Sequence, residues 1–114
     1  MSKGWIAVDL DGTLAHYDGW KAPHIIGAPI ALMVNRVKQW LAEGRDVRIF
    51  TARVSGTDAE NEYARLIIES WCSVYIGQKL PVTCTKDLAM TVLYDDRCVR
   101  VERNTGIIYM DPPL

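Results

Sequence analysis

The sequence predicts an α/β domain built on a mostly parallel β-sheet, and three observations carry that expectation. Short apolar runs of strand length recur along the chain, beginning with Ile6-Ala7-Val8. Stretches of helical periodicity separate them. Three of the strands end in polar groups: Asp9 and Asp11 after the first, Thr51 after the second, Asp95 and Asp96 after the fourth. The strand ends of an open parallel sheet share one edge, and that edge is where such sheets bind ligands.

Ile6-Ala7-Val8 is the first strand, and its apolar character is that of a strand buried in a parallel sheet. Asp9 and Asp11 bracket Leu10, which points to the opposite face, so the two acids can converge on one ligand. Carboxylates that close repel unless a cation or a shared proton relieves them, which implies Mg²⁺ or acid/base work. An Asp-X-Asp-Gly sequence alone also makes a plain turn, with an Asp bonded to its own backbone, so the other strand ends must decide.

Residues 15–27 form an irregular, turn-rich loop or flap holding Tyr17, Asp18-Gly19, Trp20, Pro23 and His24. Trp20 there is either a substrate platform or a plug for the edge of the core, and loop tryptophans more often plug. His16 and His24 have no Cys or His partner at metal-ligand spacing. Pro29 suits the first turn of a helix, and Ile30, Met33, Val34, Val37, Trp40 and Leu41 then recur at three- and four-residue intervals. Gly44 ends it.

Asp46-Val47-Arg48-Ile49-Phe50 is the second strand, with Thr51-Ala52-Arg53 at its end. Thr57-Asp58-Ala59-Glu60 matches a capping box and opens a second helix. This helix carries Tyr63, Ile67, Trp71 and Val74 on one face and stops near Gly77. Pro81-Val82-Thr83-Cys84 is a short third strand, residues 85–90 are expected to make one helical turn, and Val92-Leu93-Tyr94 is the fourth strand. Val99 and Val101 alternate with Arg100 and Glu102 before Asn104-Thr105-Gly106 turns the chain into Ile107-Ile108-Tyr109, the pattern of a C-terminal β-hairpin.

At 114 residues the chain fits one domain, 1–114, with no repeat and no low-complexity linker. A net charge of −1 supplies no global field for nucleic acid or an anionic membrane. Cys72, Cys84 and Cys98 fit neither a disulfide framework nor a zinc site and read as buried free thiols in a reducing compartment. The longest apolar run, residues 25–34, contains Gly27 and Pro29 and is too short to cross a bilayer. Asp9 comes before any signal-peptide-like stretch develops, so a cytoplasmic location without membrane contact is expected.

The polar inventory at the strand ends is up to four carboxylates, the Thr51 hydroxyl and the ammonium of Lys86, just before the fourth strand. Hard oxygen ligands suit Mg²⁺, which binds through one or two carboxylates plus substrate phosphate. Thr51 and Lys86 can donate to phosphoryl oxygens. These parts suffice for phosphoryl transfer, which depends mainly on positioning and charge neutralisation.

Asp9-Leu10-Asp11-Gly12-Thr13, Thr51 after an apolar strand, a following lysine and Asp95-Asp96 resemble, in order, the four motifs of the haloacid dehalogenase-like (HAD) hydrolases. The resemblance covers residues 4 to about 101 and implies a three-layer Rossmann-like fold. It implies Asp9 as the nucleophile that forms an aspartyl-phosphate, and Asp11 as general acid and then base. It also implies Mg²⁺ held by Asp9, the main-chain carbonyl of Asp11 and Asp95, with Asp96 water-mediated or paired to the lysine. Lys86 is preferred over Lys79 as that lysine, because it lies between the third and fourth strands. An acid at Asp11 suits phosphate ester cleavage, so the resemblance implies a phosphatase.

The chain departs from most of the family in lacking a cap domain. The site is then open to a large phosphorylated substrate, such as a nucleotide, a nucleic-acid end or a phosphoprotein, or a second subunit of a homo-oligomer covers it. Tyr17, Trp20, Arg53 and Arg97 are candidate substrate contacts, and the two arginines serve equally well as salt bridges that hold the acidic loop. Two rivals stand beside this reading. One is a catalytically idle binding or assembly module on the same fold. The other is a phospho-accepting signalling domain, in which the adjacent acids would end the first strand rather than a late one.

Overall fold

The computed structural model describes residues 3–109. The terminal residues of the expected 1–114 domain lie outside that range. Trp5–Val8 (β1) sits in the middle of the sheet because none of its four side chains is more than 2% exposed. It pairs in parallel with Asp46–Phe50 (β2) on one side and Met90–Tyr94 (β4) on the other. Val82–Thr83 (β3) adds to β2, so the order is β3-β2-β1-β4 and every neighbour is parallel.

The connections from β1 to β2 and from β2 to β3 step in the same direction across the sheet. Right-handed crossovers therefore lay both helices, Ala31–Ala42 (α1) and Asp58–Tyr75 (α2), on one face. One core results, in which Val34 and Val37 of α1 and Ile68 and Trp71 of α2 meet Ile6, Val8, Val47 and Ile49 of the sheet. This corrects the expected three-layer arrangement: among the described residues the opposite face carries no helix.

The return from β3 to β4 has only residues 84–89 in which to run back along the sheet, and the helical turn expected at 85–90 does not form. The segment is fixed instead by Asp87. Its Oδ1 accepts from the Ala89 N–H at 2.9 Å and from Trp5 Nε1 at 2.9 Å. With the Arg48 guanidinium 4.7 Å over the Trp5 ring, this closes the helix-free face above β1.

Other expectations shift for local reasons. Pro29 forms an isolated bridge with Ala15 and Ile30 N donates to Leu14 O, so α1 starts two residues after the proline. The capping box at Thr57 and Glu60 is present with both of its bonds. The buried stripe of α2 is Ala64, Ile68, Trp71 and Cys72, and Tyr63 and Val74 are exposed instead of buried. The C-terminal hairpin amounts to one bridge, Val101 to Ile108, around a turn with Asn104 at φ 65°. Cys72 is buried as expected, whereas Cys84 and Cys98 are exposed, and all three are free. No helix among the described residues is long and apolar enough to cross a membrane.

Candidate functional site

Asp9 continues the β1 ladder by one residue: its N–H donates to Tyr94 O at 2.9 Å, which brings it beside the end of β4, where Asp95 and Asp96 begin. One carboxylate oxygen each from Asp9, Asp95 and Asp96 lie within 4.8 Å of one another. Burial raises the Asp9 carboxyl, the charge of Asp95 and contact with Asp96 add to the effect, and the result is a pKa of about 7. Three convergent carboxylates, one of them costly to ionise, form a donor set that fits a hard divalent cation.

Two small residues hold the acidic loop against the first turn. Thr13 Oγ1 accepts from Asp96 N at 3.0 Å and lies 3.2 Å from Asp96 Oδ1 and 3.4 Å from Asp9 Oδ2. Gly12 has φ +90°, and a Cβ there would stand 2.6 Å from Asp96 Oδ2, so only glycine allows the approach. Thr13 is a positioning residue that sequence reasoning missed. The Gly-Thr pair reads there as a turn, and the partner of its hydroxyl becomes visible only once β1 and β4 are neighbours. Asp95 in turn accepts from the Arg97 N–H at 2.7 Å through Oδ1, a local turn that aims the loop.

Thr51 is buried at the end of β2, and its Oγ1 accepts from the Arg53 N–H at 3.1 Å, opening the single 3-10 turn of Ala52–Val54. That turn directs Arg53 onto Asp11. Nε and Nη2 bond the two carboxylate oxygens at 2.7 and 2.8 Å, and the arginine side chain is only 6% exposed. The same guanidinium donates to the carbonyls of Pro23 at 3.2 Å and Ile25 at 2.9 Å, and lies 4.9 Å from the Trp20 ring centroid. Of the two roles open to Arg53, the structure displays the salt bridge, and it ties the flap to Asp11. Trp20 is 57% exposed, which corrects its expected role as a core plug.

Flap, first turn and α2 enclose a pocket of about 660 Å³. Asp9, Asp11, Thr51, Arg53, Asp95 and Arg97 line it, so six of the expected site residues meet. Asp96 faces Thr13 and Gly12 at the rim of the cluster. Lys86 is not brought in: it is exposed, absent from the pocket lining and without an ion pair to these acids among the described residues. The physical reason is the short return connection. Thr83 O is bonded by Thr51 N at the ligand-binding edge and Ala89 O by Trp5 N at the far end of β1, so Lys86 is already halfway back along the sheet. Lys79 is exposed beyond α2 and does not line the pocket either.

No family model and no curated protein matches the chain. Among solved structures, a conserved protein coded by a locus of Bacteroides thetaiotaomicron is similar over 83% of this chain and 77% of that one, with a TM-score of 0.57 and 22% sequence identity. At that identity the likeness extends to the α/β fold alone.

Proposed function

We propose that this protein is a Mg²⁺-dependent phosphomonoesterase that works through an aspartyl-phosphate, a small capless relative of the HAD hydrolases acting in the cytoplasm. The observation that supports it most is the convergence of Asp9, Asp95 and Asp96, the first two of which line a pocket together with Thr51. Asp9, Asp95, Asp96 and the main-chain carbonyl of Asp11 would hold the ion. Bound Mg²⁺ supplies charge neutralisation for the phosphoryl oxygens.

In this scheme an Asp9 oxygen attacks phosphorus, the ester P–O bond breaks, and Asp11 gives its proton to the leaving oxygen. Water then attacks the phosphorus of the acyl phosphate, Asp11 takes the proton, and inorganic phosphate leaves with Asp9 restored. Thr51 and Arg97 serve as phosphoryl contacts. Lys86 enters only by re-aiming its side chain from the return connection, and Asp11 only by releasing Arg53.

Hydrolysis of p-nitrophenyl phosphate tests the scheme. Activity should require Mg²⁺, disappear with a chelator and fall by ~10³-fold or more in Asp9→Asn. Undiminished turnover in Asp9→Asn would contradict the covalent route. One observation favours a second reading, the idle binding module: both carboxylate oxygens of Asp11 are engaged by Arg53. Saturable metal binding with no turnover of any phosphate ester would favour that module.

A further inference from the structure

Four of the chain's ten aromatic residues, Tyr17, Trp20, Phe50 and Tyr63, line the same pocket as the acids. Folding does not account for this: Tyr17 is 36% exposed, Trp20 57% and Tyr63 48%, so each keeps apolar ring surface in water beside a cluster of charge. The rings come from independent elements, the flap for Tyr17 and Trp20, the end of β2 for Phe50 and α2 for Tyr63. Arg53 lies over Trp20 and bonds the carbonyls on either side of His24, which fixes the ring's place on the pocket wall. Exposed, fixed aromatic rings are stacking platforms for a planar partner.

Charge narrows the partner further. The pocket lining contains no lysine, and of its two arginines Arg53 is consumed by Asp11. Arg97 is left as the cation for substrate phosphate. A polynucleotide needs a row of cations along its backbone, and this wall does not offer one.

We propose that the substrate is a nucleoside monophosphate, its phosphate at the Asp9 cluster and its base stacked on the flap and α2 aromatic wall. This rests on the phosphatase reading for turnover, though not for binding. With wild-type protein and Mg²⁺, kcat/KM for adenosine 5′-monophosphate should exceed that for ribose 5-phosphate by about tenfold or more, from stacking alone. That ratio should collapse in Trp20→Ala and in Tyr63→Ala. Equal kcat/KM for the two substrates overturns the proposal and leaves the phosphatase standing. So does a preference for phosphotyrosine or for a 5′-phosphorylated oligonucleotide.

Binding gives a readout apart from turnover. Of the four tryptophans Trp5 and Trp71 are buried and Trp40 is half-buried against the core, so exposed Trp20 is the natural fluorescence reporter. Adenosine 5′-monophosphate should quench Asp9→Asn fluorescence saturably, ribose 5-phosphate should not, and Trp20→Phe should abolish the quench. Quenching by the nucleotide, with a wild-type protein that hydrolyses no phosphate ester in Mg²⁺, would end the phosphatase reading and keep this one. No quenching, in wild type or Asp9→Asn, would end the nucleotide assignment.

Discussion

Asp9 is the most strongly perturbed carboxylate among the described residues, and its consequences can be followed with pH. Its pKa rises from 3.8 to about 7, first through burial and then through Asp95 and Asp96. In the folded chain Asp9 therefore holds a proton that the unfolded chain releases at lower pH. The stability tied to that proton is present below about pH 4 and is lost as pH rises through about 7. Asp18, Glu60 and Asp87 are instead held low, by Lys21, by the Thr57 backbone and by Trp5, so their contributions are lost only on the acid side. Metal-free protein should accordingly lose thermal stability between about pH 4 and pH 7, with Asp9→Asn flattening that slope. If the acids hold Mg²⁺ as proposed, the ion should raise Tm more at the alkaline end, where the ligands are ionised. A Tm independent of pH across this window would show that Asp9 is not perturbed.

At the scale of elements, what could be read in advance was local chemistry. The Thr57-to-Glu60 capping box needs only residues three apart, and both of its bonds form, at 3.2 and 2.9 Å. Thr57→Ala should cost about 1 kcal/mol in chemical denaturation and Thr57→Ser much less; a neutral Thr57→Ala would mean that packing alone sets the start of α2. The face that α2 buries was not legible to the same degree. Tyr63, Ile67, Trp71 and Val74 share a helical face, but so do Ala64, Ile68, Trp71 and Cys72, and only the position of the sheet selects the second set. Tyr63 is thereby turned toward the pocket. The strand ends were legible because a parallel sheet gives them a common edge, and the same logic brings Asp9, Thr51 and Asp95 together. It had no means of assigning Arg53 to Asp11, or of carrying Lys86 away from the pocket, since both depend on how short connections run between elements.

The whole molecule is a sheet covered on one face by two helices and on the other by an extended return segment, and that asymmetry concentrates demand on one contact. Trp5 is 1% exposed, and its indole N–H donates to Asp87 Oδ1, which also orders the Ala89 N–H. The segment carrying Asp87 stands where the expected third layer would be, so among the described residues no helix packing substitutes if the bond is lost. Asp87→Ala leaves a buried indole donor without its partner and removes the turn that brings Ala89 O to the Trp5 N–H. It should destabilise the protein, read as a lower midpoint of chemical denaturation. Asp87→Asn keeps an acceptor oxygen in place and should retain most of that stability, which separates the bond itself from the charge. Equal losses in the two variants would mean that attraction between Asp87 and Arg48, rather than the Trp5 bond, secures the return segment. No loss in either would mean that the helix-free face is held by the apolar surface of Trp5 alone.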